Sequence, residues 1–105
     1  MAEPTLTGKQ KSHLRALAHS LEPVVQMGQK GLTPAVLREI DGALTAHELI
    51  KVKFLSGKEE KREIALEIEG RLVCGLAGLV GHIAIYYRPH ADPKQRRIDI
   101  DGAAV

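Results

Sequence analysis

The spacing of apolar residues changes repeatedly along this chain, and that alternation limits its fold more than any other feature. Leu14, Leu17, Ala18 and Leu21 recur at intervals of three and four, marking one face of a helix. Thr7-Gly8-Lys9-Gln10 opens that segment as a capping box, and Pro23 ends it. Val24 to Met27 is a short apolar run suited to a buried strand. Thr33 then stands as an N-cap with Pro34 at the first helical position, where its missing N–H costs nothing. Val36, Ile40, Ala43 and Leu44 carry this second helical stripe. Leu49 to Leu55 switches to a period of two, with Ile50, Val52 and Phe54 on one side and Lys51 and Lys53 on the other. Ser56-Gly57-Lys58-Glu59 repeats the capping-box pattern ahead of Ile64, Ala65, Ile68 and Leu72. Leu76 to Val80 and His82 to Arg88 read as two strands joined at Gly81 as a hairpin.

The order is therefore α-β-α-β-α-β-β. Helices between strands imply a mostly parallel or mixed sheet with helices packed on it. The expected fold is a compact single α/β domain with a four-stranded mixed sheet. Residues 1–5 read as a flexible start, 6–89 as the domain and 90–105 as a polar, basic tail. With 105 residues and 44% hydrophobic content the chain is not disordered. It has no run of about 18 apolar residues to span a membrane. Met1-Ala2-Glu3-Pro4-Thr5 lacks the basic-then-apolar layout of a secretion signal, which predicts a cytoplasmic protein. Cys74 is alone, and His13, His19, His47, His82 and His90 are scattered without metal-ligand spacing. No metal, no cofactor and no catalytic residue is expected.

Taken as a total, a net charge of +2 argues against a polyanionic partner, but it averages unlike segments. Residues 1–31 set Lys9, Lys11, Arg15 and Lys30 against Glu3 and Glu22. Residues 58–70 carry five glutamates against Lys58, Lys61 and Arg62. Between Arg88 and Arg97, Arg88, Lys94, Arg96 and Arg97 face only Asp92. Basic ends around an acidic third helix fit a face that meets a polyanion. They also fit an adaptor domain whose basic patches bind acidic partners.

The most informative segment is Met27-Gly28-Gln29-Lys30-Gly31-Leu32-Thr33-Pro34. Two glycines around two other residues let backbone N–H groups approach a ligand closely. The helix starting at Thr33 adds free N–H groups and its positive dipole end, and Lys30 adds a full charge. Together they make a phosphate cradle. The segment lacks the Gly-Lys-Ser/Thr of a nucleotide-hydrolysing loop and the three glycines of a dinucleotide fingerprint. A small enzyme acting on a phosphate-bearing substrate is a remote reading, because no general acid or base stands nearby.

A set of segments in order carries a family likeness: Leu6-Thr7-Gly8-Lys9-Gln10-Lys11, His13-Leu14-Arg15-Ala16-Leu17-Ala18-His19, Pro23-Val24-Val25, the Gly28 to Thr33 loop, His47 to Lys53 and Tyr86-Tyr87-Arg88-Pro89. Over residues 6–89 the chain resembles the CRM domain (chloroplast RNA splicing and ribosome maturation) in its bacterial stand-alone, YhbY-like form. The resemblance implies a fold similar to the C-terminal domain of translation initiation factor three. It also implies RNA binding without catalysis, with association to precursors of the large ribosomal subunit. Gly28 and Gly31 match the family's GxxG loop, with Gln29 and Lys30 between them. Where the family shows an ordinary strand, Leu76 to His82 is glycine-rich.

The expected RNA-binding residues are Gly28, Gln29, Lys30, Gly31 and Thr33 at the loop. Lys9, Lys11 and Arg15 on the first helix extend the track, with Lys51 and Lys53 if their sheet face is open. Arg88, Lys94, Arg96 and Arg97 are expected on a mobile arm. With no Trp, one Phe and two Tyr, the chain lacks an aromatic platform for stacking bases. Tyr86 and Tyr87 point to opposite sheet faces, so at most one is exposed towards RNA. The expected partner is a folded RNA, read by backbone and shape, with no DNA and no membrane; a monomer is favoured.

Overall fold

The computed structural model describes residues 6–55 and 59–100. The readings of residues 1–5 as a flexible start, of Ser56 to Lys58 as a capping motif and of 101–105 as tail fall outside these. The elements are α1 (Gly8–Ala18), β1 (Val25–Met27), α2 (Pro34–His47), β2 (Leu49–Phe54), α3 (Lys61–Leu72), β3 (Gly75–Val80) and β4 (Ile83–Tyr87), followed by a 3-10 turn at Pro93–Gln95.

The helix starts follow the sequence signals. Gln10 N–H donates to Thr7 Oγ1 at 3.1 Å and Thr7 N–H to Gln10 Oε1 at 2.9 Å, which completes the capping box. Val36 N–H donates to Thr33 Oγ1 at 3.2 Å. The third helix departs from expectation. It begins at Lys61, and its N-cap residue Glu60 makes no side-chain cap bond.

The strands form one sheet in the order β1-β2-β4-β3. β1 lies parallel to β2, while β4 runs antiparallel to both β2 and β3. Alternation along the strands sends side chains to two separate cores. On one face, Ile50, Val52, Phe54, Ala84 and Tyr86 meet Ile40 and Leu44 of α2 and Ala65 and Ile68 of α3. On the other, Leu49, Ala77, Ile85 and Tyr87 meet Leu14 and Ala18 of α1. Covering both faces buries both tyrosines, so neither is exposed towards a ligand. Tyr86 O–H donates to Ala65 O at 2.8 Å. Burial pushes this phenol well above its ordinary range, helped by Cys74 and Glu69.

The glycine-rich strand has a steric explanation. β3 carries a bulge: Leu76 pairs with Tyr86 and Gly78 with Ile85, which leaves Ala77 as the extra residue. Arg15 lies across the bulge and donates from Nη1 to Ala77 O at 2.8 Å. A Cβ at Gly78 would stand 2.5 Å from Arg15 Cδ, so glycine makes room for the arginine. Gly81, at φ +60°, is the first of two turn residues between the paired Val80 and Ile83, the position a tight hairpin reserves for glycine.

The segment after Pro89, read as a free tail, is packed through Ile100. Glu48, 2% exposed, accepts backbone N–H groups from His90 at 2.7 Å, from Arg97 and from Ile98 at 3.2 Å. Ile98 and Ile100 then pack onto the core beneath α1, and His13 Nε2 is 2.9 Å from Asp99 O. Backbone donors around a buried carboxylate make this segment a strap.

Candidate nucleic-acid interface

The strand directions gather several features at one end of the sheet. β1, β2 and β3 all finish there, α2 and α3 both begin there, and β4 starts from it. This loop end carries Gly28 to Thr33, the β3–β4 turn and two helix N-termini, whose dipoles favour an anion.

Within the loop, Gly31 N–H donates to Gly28 O at 3.0 Å and Thr33 N–H to Gly31 O at 3.1 Å. Gly31 has φ +70°, a conformation that costs a residue with a Cβ about 1–2 kcal/mol. A Cβ at Gly28 or Gly31 would meet nothing within 4 Å, so the surface above both is open. Gln29 and Lys30 are exposed, and their backbone N–H groups have no acceptor among the described residues. Thr33 is engaged as the cap of α2. The loop thus presents N–H donors, a lysine and a helix terminus in one place.

A strip of sheet beside this loop is left uncovered. Gln26, Lys53, Ile83 and Val80 stand in register across the four strands on the α1 side. α1 sits further back, over Leu49, Ala77 and Tyr87. Between helix and strip runs a cleft of about 600 Å³, lined by Arg15, Ala16, His19, Lys51, Val80, Ile83 and Ile85. Lys11, Arg15 and His19 share one ridge of the helix at four-residue spacing. Lys9 is exposed, about two turns before Ala16 on the same side of the helix.

The expected residues therefore divide. The loop residues and Lys53 lie at the loop end, whereas the α1 cations and Lys51 stand further back on the same side of the sheet, and two of these cations already have partners. Arg15 holds the bulge, and Lys51 Nζ donates to His19 O at 3.3 Å and Leu21 O at 3.0 Å, closing the end of α1. Because α1 covers the sheet there, Lys51 lies at the helix edge, whereas Lys53 is exposed.

Arg88, Lys94, Arg96 and Arg97 lie at the opposite end, about 20 Å away by the rise of β2. They are not on a mobile arm. Arg88 is 19% exposed, and its guanidinium donates to Asp41 Oδ1, Asp41 O, Thr45 Oγ1 and Leu72 O. It locks α2 to the end of α3. Arg96 Nε donates to His90 O. The cleft beside Arg88, about 400 Å³, is bordered by Asp41, which neutralises the arginine.

Sequence reasoning missed His19, Val80 and Ile83 on the cleft and Lys61, whose Nζ contacts Gly81 O. Four-residue spacing from Lys11 and Arg15 was the signal for His19. The other three need the hairpin's placement. Among the described residues no group of three or more His, Cys, Asp or Glu could hold a metal, and no helix is long and apolar enough to cross a membrane.

Comparison with known proteins identifies relatives of this chain and of its fold. The family model for the CRS1 / YhbY (CRM) domain matches residues 6–88. A protein of Haemophilus influenzae named an RNA-binding protein is 43% identical over 91 residues, covering 86% of this chain and 92% of its own. A Bacillus subtilis protein named a probable RNA-binding protein is 36% identical, with 86% and 95% covered. The solution structure of a candidate RNA-binding protein from Staphylococcus aureus superposes with a TM-score of 0.77 at 33% identity, covering 90% of this chain and all of that one.

Proposed function

The chain belongs to the CRS1 / YhbY (CRM) domain family, and from that premise we propose that it is a non-enzymatic RNA-binding protein. Its target is structured ribosomal RNA during assembly of the large subunit, and it acts as a cytoplasmic monomer. The observation that carries this reading is the open Gly28–Gly31 loop, with the unclaimed N–H groups of Gln29 and Lys30, beside Lys53 and the cleft that α1 borders.

The mechanism is backbone clamping. The N–H groups of Gln29 and Lys30 approach a phosphate because the loop surface there is unobstructed. Lys30 neutralises its charge, and the α2 terminus adds the helix dipole. Lys53, Lys11 and Lys9 continue the cationic track. Lys94, Arg96 and Arg97 form a separate basic patch at the far end, which a folded RNA longer than the sheet reaches. The five glutamates between residues 59 and 69 repel RNA from α3. Such contacts fix register and orientation while carrying little sequence information.

The test is a titration of a structured large-subunit rRNA fragment across a salt series, followed by fluorescence anisotropy. Log affinity falls linearly with log salt, with a slope of about −0.9 per phosphate neutralised on duplex. Lys30→Ala weakens binding and reduces the slope by about one. Gly31→Asp weakens it further, since it adds a carboxylate at a backbone position suited to glycine. Circular dichroism checks that both variants keep the fold. Absent or salt-independent binding refutes the proposal.

A further inference from the structure

We infer that the cleft between α1 and the β3–β4 hairpin receives one unpaired base of the bound RNA. This rests on the RNA-binding reading and adds a base contact to it. The cleft's floor is aliphatic, made by Val80, Ile83 and Ile85, and its volume of about 600 Å³ is in the range of small-ligand sites. Val80 is 60% exposed, so its side chain is open to a group lying in the cleft. The rim is cationic and no carboxylate lines the cleft.

The state of each cation selects the occupant. Arg15 and Lys51 already donate to backbone carbonyls, so they are poorly placed to pair with the carboxylates of an acidic protein. Lys53 and His19 have no side-chain partner among the described residues, and Lys53 stands directly beside Ile83 in register. An apolar floor, one adjacent ammonium and one imidazole suit a flat base whose phosphate rests on Lys53 and whose polar edge meets His19. Paired bases keep their faces stacked, so the occupant comes from a bulge, loop or end.

The path from the loop is continuous. Gln26, two residues before Gly28, is the neighbour of Lys53 on the same face. Ile83 lies two strands from β1, about 10 Å across the sheet. A few nucleotides therefore lead from a phosphate held at Gly28–Gly31 to a base in the cleft.

Three RNA hairpins test this: one fully paired, one with a single bulged nucleotide, and one with an abasic sugar at the bulge. The intact bulge binds about tenfold more tightly than the abasic one, the gain expected when about 55 Å² of apolar surface leaves water. Val80→Ser with Ile83→Ser abolishes that difference while leaving abasic affinity unchanged. Val80→Ser alone, at an exposed site that the fold tolerates, reduces it in part. Lys30→Ala weakens all three RNAs alike. Equal affinity for intact and abasic bulges, or a double variant that weakens both equally, overturns the cleft assignment and leaves RNA binding standing. Failure to bind any of the three overturns both.

Discussion

Replacing Glu48 with alanine removes the carboxylate that holds the strap. Two of its bonds, from the N–H groups of His90 and Arg97, are short, and the third, from Ile98, is 3.2 Å. A hydrogen bond to a charged group contributes about 1.5–3 kcal/mol net, so the two short ones at the low end give a loss of about 3 kcal/mol. The strap also carries Ile98 and Ile100 off the core beneath α1, exposing Leu14 and Tyr87. Glu48 sits at φ +65° and ψ −45°, a sparsely populated conformation that costs a residue with a side chain about 1–3 kcal/mol, so Glu48→Gly is more stable than Glu48→Ala by about 1 kcal/mol although both lack the carboxylate. Urea unfolding measures the stabilities. Amide hydrogen exchange reads the strap directly, with His90, Arg97 and Ile98 losing protection while Val52 and Ala84 in the central strands keep theirs. The reasoning is refuted if those three amides stay protected in Glu48→Ala, or if alanine and glycine destabilise equally.

Two further predictions concern groups buried for structural reasons. Tyr86 keeps its proton in the fold beyond the pH at which the unfolded chain releases it, so stability is full below about pH 10 and falls as pH rises above it. Tyr86→Phe loses about 1 kcal/mol at neutral pH with the bond to Ala65 and has a shallower alkaline decline, measured by urea titrations at rising pH. An unchanged decline contradicts this. Arg88→Ala costs about 2 kcal/mol through its four lost acceptors, and Arg88→Lys recovers little because a point charge cannot replace the planar fork. RNA affinity, measured by anisotropy on the folded variant, is unchanged; a drop would return Arg88 to the interface.

The sequence alone determined the element order, both side-chain helix caps, the glycine loop and the sheet faces of β2, because each is written in residues within one or two turns of one another. Thr7 and Gln10 find each other across a single helical turn. The alternation of Ile50, Lys51, Val52 and Lys53 needs only the pleat of one strand. The GxxG loop was legible for the same reason, since its glycines, lysine and helix cap are consecutive.

Tertiary structure decided which charges remain available. Lys51, Arg15 and Arg88 have the composition of RNA contacts, yet each is engaged by carbonyls from other elements, between 16 and 62 residues away in sequence. Glu48 looks like an ordinary acid at a helix end until the strap folds back from a segment more than 40 residues later. The open strip beside α1 likewise depends on where the helix crosses the sheet, a crossing held by Leu14 and Ala18 in the core and by Arg15 at the Ala77 bulge. Local pattern specifies what a side chain is able to do. Long-range packing, which desolvates some donors and leaves others in water, specifies which of them still can.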